Sequence, residues 1–204
     1  MGRVNGMKEK LHLPLYDAFD VADKVRLEAA MQAQNDNRVI RFFTTIQSKT
    51  RLETNLQAPN ILPSGNLFEG RALRVVCSPV NKAVDEKDKP VPDYSMERFL
   101  SALLFQSVTT LLVGEKVMIE VPTYYFPAGA GVWLPTGQPG GQASNGEPDP
   151  MATFRFAEPV MIEAHQNFRV ELQFPRSVPD DVRHAYGPFR LWVVLDGYMT
   201  RDVQ

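Results

Sequence analysis

The residue types able to do chemistry are few in this chain. Its histidines are His12, His165 and His184, and its one cysteine is Cys77. No two histidines stand within helical or strand reach of each other, and neither an HxH nor an HExxH occurs. A metal site of the two-histidine-and-glutamate kind therefore has no local basis. Cys77 falls on the apolar side of RALRVVCSPV with Leu73 and Val75, which reads as a small core residue with no histidine nearby to activate it. No GxSxG is present. The glycines at 129, 131, 140 and 141 lack the lysine and the following helix that a phosphate-binding loop requires. Adjacent carboxylates occur at Asp180–Asp181 and at Glu147 with Asp149. They read as solvated loop residues, with calcium binding in the 145–150 loop as the sharper alternative. Arg38, Arg41, Lys49 and Arg51 form a modest basic cluster without interleaved stacking aromatics, so strong direct nucleic-acid binding is not expected. No catalytic, cofactor-binding or metal-binding residue is assigned, and no cofactor is expected. The chain reads as a non-enzyme.

Composition points the same way. The chain has 204 residues, enough to bury a core, and a formal charge of −2, which argues against coating nucleic acid by charge alone. A lone cysteine cannot form an internal disulfide. Sixteen prolines and 13 glycines imply many chain reversals, as a many-stranded β protein needs. No secretory segment is visible at the N-terminus, and Phe99 to Val113 is too short and too polar to span a membrane. Synthesis in a reducing cytoplasm is expected.

The elements follow from periodicity. Residues 17–35 are expected to form a helix capped by Asp17, with Ala18, Val21, Val25 and Ala29 as a narrow apolar stripe. Residues 1–37 are thus read as an N-terminal arm and helix, and 38–204 as the main domain. Eight strands are expected at 39–46, 71–80, 106–113, 116–123, 152–157, 160–164, 167–174 and 189–198. Gly114–Glu115 fits a type II′ reversal, and Val117, Ile119 and Val121 should share the buried face of their strand. A short helix is expected from Ser95 to about Leu104, and a helical turn near 179–184. The fold class is all-β: a single jelly-roll sandwich of about eight strands with an N-terminal helix and one short inserted helix. An immunoglobulin-like sandwich is the second choice. Tyr124, Tyr125, Phe126 and Trp133 crowd one loop, where four aromatics are hard to bury. They are read as subunit-interface anchors, or else as a plug folded back on the end of the sandwich.

Three passages carry a family resemblance: TNLQAPNILPSGNLFEGRALRVV, MIEAHQNFRVELQFP and FRLWVVLDGYMTRDVQ. With the strand count, they resemble the jelly-roll major capsid (coat) proteins of tailless icosahedral bacterial viruses, some of which enclose a membrane. The resemblance implies a virion shell protein made in the host cytoplasm that self-assembles into trimeric or pseudo-hexameric capsomers. Its implied partners are copies of itself, minor capsid or vertex proteins and an internal membrane. The alternative is a carbohydrate- or ligand-binding β-sandwich module, with the 124–133 aromatics stacking on sugar.

Overall fold

The computed structural model describes residues 8–34, 38–78, 96–127, 151 and 153–202. In chain order the elements are β1 (Lys8–His12), β2 (Leu15–Val21), α1 (Leu27–Gln32), β3 (Val39–Phe42), β4 (Leu67–Cys77), α2 (Met96–Phe105), β5 (Val108–Val113), β6 (Lys116–Pro122), β7 (Arg155–Ile162), β8 (Phe168–Gln173), α3 (Asp180–Arg183) and β9 (Phe189–Asp202). The fold is all-β, with two antiparallel sheets. One runs β1-β9-β4-β7, with β2 pairing the same side of β9 further along; the other runs β3-β8-β5-β6. The pairs β2·β9, β3·β8, β4·β7 and β5·β6 are nested, each enclosing the next in the sequence. The further pairs β4·β9 and β5·β8 complete the sheets.

Alternation dictates which side chains fill the space between the sheets. Along β9, Phe189, Leu191, Val193, Leu195 and Met199 point inward, while Arg190, Trp192, Val194 and Asp196 point outward. Ile40, Phe42, Phe68, Leu73, Phe168, Val170, Leu172 and Phe174 meet them in one core. Burying each large side chain of this kind contributes roughly 1.5–3 kcal/mol. Phe43 packs on Phe168 with ring centroids 5.2 Å apart, and Phe99 of α2 meets Phe189 edge-on at 5.2 Å.

The helix expected over 17–35 is absent. Residues 15–21 are β2, and among the described residues of that stretch helix occupies 27–32. The stripe Ala18, Val21, Val25 and Ala29 fits helical spacing, but Leu15, Asp17, Phe19 and Val21 fit a strand equally well. The long β9 supplies the partner that decides between them. Asp17 obscures the alternation because a carboxylate sits at a buried position. Residues 8–34 therefore belong to the sandwich: β1 and β2 lie in one sheet, and Leu15, Phe19, Leu27 and Met31 are core residues.

The later strands fall close to expectation. The two strands expected at 152–157 and 160–164 are one, β7, running through Pro159. β7 is an edge strand, where a missing N–H is tolerated. β3 stops at Phe42 because Phe43 takes a left-handed φ of 69°. Gly114 has φ 60° at the β5–β6 reversal. The face expected for β6 is corrected by a bulge. Leu111 opposes Ile119 and Leu112 opposes Val117, leaving Met118 as the extra residue. Val117 is thereby turned outward, 48% exposed, while Ile119 and Val121 pack on the core. α2 and α3 lie where a short helix and a helical turn are expected.

Candidate interaction surface

β6 ends at Pro122, and Thr123–Tyr125 form one 3-10 turn. Both ends of this turn are anchored. The Thr123 hydroxyl is buried, accepts from Ser107 Oγ at 2.6 Å and lies 2.8 Å from Thr109 Oγ1. Thr123 N–H donates to the Ser107 carbonyl at 3.0 Å. At the other end Phe126 is buried, 1% exposed, its N–H donates to the Thr123 carbonyl, and its own carbonyl accepts from Val75 N–H at 3.1 Å. With Thr123 and Phe126 turned in, Tyr124 and Tyr125 are turned out, at 45% and 46% exposure.

Phe105, the last residue of α2, extends this surface at 68% exposure. Its ring stacks on Tyr124 at 5.6 Å and 25°, and Tyr124 stacks on Tyr125 at 4.8 Å and 26°. Tyr125 then meets the edge of Phe154 at 5.7 Å, and Phe154 meets Phe126 at 5.5 Å. The row thus runs from solvent into the core. Tyr125, alongside and hydrogen-bonded, holds the Tyr124 phenol above its ordinary value, its charge being the larger cause.

Of the four aromatics read as anchors, the structure brings Tyr124 and Tyr125 together on the surface. It places Phe126 in the core, the plug role rather than the interface one. Trp133 lies outside the described residues, as do the 145–150 carboxylates and the glycines from 129 to 141. Phe105 is not among the expected anchors, although the helix period carries its signal. Phe99 and Leu103 mark the buried stripe of α2, and Phe105, two residues past Leu103, falls on the opposite side.

The other candidate residues are scattered. His12 lies on β1 with its ring 5.4 Å from Tyr198, His165 sits in a turn with φ 63°, and His184 follows α3. Among the described residues no group of histidine, cysteine, aspartate and glutamate is arranged to hold a metal ion. Among them, too, no helix is long and apolar enough to cross a membrane. Cys77 is buried, and burial pushes its thiol up to about 12. The basic cluster does not converge. Lys49 is turned inward to Asp17, and Arg41 pairs with Glu171 at 3.5 Å.

The long link between β3 and β4 is tied down across β2. Asp17, fully buried, accepts from Phe43 N–H at 2.6 Å and from Lys49 Nζ at 2.8 and 2.9 Å. Burial raises its carboxyl above the ordinary value, while Lys49, Phe43 and Thr54 pull it back. The side-chain amide of Asn55 accepts from Tyr16 N–H at 3.0 Å and donates to the Pro14 carbonyl at 2.7 Å. Gln34 serves β3 in the same way, accepting from Arg41 N–H at 3.0 Å and donating to its carbonyl at 3.3 Å. Each amide stands in for a neighbouring strand at an open sheet edge. No protein-family model, no curated protein and no solved structure matches this chain, so its function is argued from topology and surface.

Proposed function

We propose that the chain is a structural coat protein whose jelly-roll domain self-assembles into capsomers of an icosahedral viral shell. The observation that carries this reading is the nested pairing. Strands β2 to β9 pair as β2·β9, β3·β8, β4·β7 and β5·β6. A long antiparallel hairpin, doubled over and rolled, sends its strands to two sheets in this way and creates β4·β9 and β5·β8 where the roll closes. β1 then lengthens one sheet beyond the rolled set. Two of the passages that resemble bacterial-virus coat proteins cover β4 as far as Val76 and all of β9, the strands that meet at that closure.

The surface supports a role in assembly. The sheet edges carry features that resist strand addition: β2 and β3 carry the Asn55 and Gln34 amides, β6 carries a bulge and Pro122, β7 carries Pro159, and β1 is short and charged, with Lys8, Glu9 and Lys10. Copies would then meet through side chains, and the exposed aromatic row offers them. The ligand-binding reading has less support, because Tyr124 stacks on both Phe105 and Tyr125, which already takes up part of its ring surface.

Purified protein at high concentration, followed by light scattering and electron microscopy, tests the proposal. Closed particles or stable capsomers are the expected result. A monomer at every concentration, with no particles on the grid, overturns it.

A further inference from the structure

We infer that the Phe105–Tyr124–Tyr125 row is a contact for a second copy of this chain, too weak to hold a dimer alone and effective only when repeated around a closed assembly. The inference rests on the coat-protein reading and adds to it the contact residues and the strength of the contact. The area decides the strength. Aromatic side chains present ~200 Å² each, so exposures of 68%, 45% and 46% leave roughly 300 Å² of ring surface per copy. A stable pairwise interface needs about 800 Å² per partner. The row can form the centre of such a contact but falls well short of a dimer interface by itself.

Its chemistry selects the occupant. The exposed rings of Phe105, Tyr124 and Tyr125 carry no formal charge. Tyr124 stacks on both Phe105 and Tyr125, so the three exposed rings form one connected apolar row. Exposed rings pair with other aromatic and apolar side chains in offset or edge-on geometry, as Tyr125 and Phe154 already do within the chain. A copy of the same protein supplies such groups, and symmetry turns a weak contact into a strong assembly by multiplying it. The row is also held in place beforehand. Thr123 and Phe126 fix the turn, so little freedom is lost when a partner arrives.

Sedimentation velocity over a wide concentration range, with the wild type beside Phe105→Ser and Tyr125→Ser, tests the inference. Both side chains are exposed, and circular dichroism checks that each variant keeps its fold. The wild type should stay monomeric when dilute and pass sharply to large species, without a stable dimer. Each variant should raise that threshold about tenfold or more. A variant that assembles at the wild-type threshold overturns the contact, even where particles form and the coat reading stands. Association lost in the variants but ending in open aggregates upholds the contact and overturns the shell. A wild type that remains monomeric throughout overturns both. Quenching of aromatic fluorescence by maltohexaose or laminarihexaose, abolished in the variants, would assign the row to sugar instead.

Discussion

Lys49 closes on Asp17 with its ammonium 2.8 and 2.9 Å from the two carboxylate oxygens, at a point where the aspartate is wholly buried between the sheets. The same carboxylate accepts from Phe43 N–H, the first residue beyond β3, so one side chain joins a strand of each sheet. Removing it strands both donors. Asp17→Ala should destabilise the fold by about 3 kcal/mol, the lower end for a broken buried pair, because Lys49 keeps some access to water. Asp17→Asn, which keeps an acceptor for Phe43, should cost less. Urea unfolding midpoints measure both.

Glu53 gives the acid response a sign. Its carboxylate accepts from the Thr50 hydroxyl and from Thr50 N–H at 2.7 Å, and Arg190 lies 3.1 Å away. These hold it below its ordinary value of 4.5, the Thr50 side-chain bond being the largest cause. A carboxyl lowered in the folded state contributes stability that is present above about pH 4.5 and is lost as pH falls through the lower folded value. Glu53→Gln should flatten that part of the acid limb in melting temperatures taken from pH 5 to pH 3. Asp17 runs in the opposite sense. Its raised carboxyl contributes stability below 3.8 that is lost as pH rises through the folded value. The advantage of the wild type over Asp17→Asn should therefore narrow from pH 3 upward.

The two amides at the sheet edges make a separate prediction. Gln34→Ala and Asn55→Ala should each lower stability by about 1 kcal/mol, since edge N–H and C=O groups regain water. Their larger effect should be on aggregation, because an unplugged edge is a template for another strand. Thioflavin fluorescence and turbidity at elevated concentration should rise in both variants, and most in the double variant.

Gly197 is fixed by its neighbours. A Cβ built there would stand 2.1 Å from the Glu69 carbonyl oxygen and 2.8 Å from the Phe68 ring. The obstacle is backbone in the paired strand, next to the register shift at Gly70 and Ala72, and it cannot step aside. Gly197→Ala should cost about 3 kcal/mol or more, read as a fall in melting temperature with no such fall in Gly114→Ala beyond its φ strain.

What the sequence makes legible divides along physical lines. β8 and β9 are plain because strict alternation of large apolar and charged residues has one meaning when a single face is buried. β2 is hidden because its central inward residue is Asp17, whose partners Lys49 and Phe43 lie 32 and 26 residues away. No local pattern announces a long-range ion pair. The outward turn of Val117 is hidden for a related reason: a bulge is a property of two strands together, and Met118 alone gives no sign of it. At the candidate surface Tyr124 and Tyr125 are readable as excess aromatics. The inward turn of Phe126 depends on Val75, in a strand far away in the chain. Phe105 is readable from the helix period, but it lies one residue past the end expected for the helix and so escapes the sequence reading.

The position of β9 governs when this molecule can come into being. Among the described strands it comes latest in the sequence and yet lies in the middle of its sheet, flanked by β1 and β2 on one side and by β4 on the other. Until a ribosome has delivered the stretch from 189 to 202, the strands that will border it have no common partner, and only the local β5·β6 hairpin can form at little entropic cost. The five described strands of this sheet are thus joined only when β9 is in place. A chain interrupted before that stretch holds β1, β2 and β4 without the strand that joins them, so the order of synthesis sets when this sheet can close.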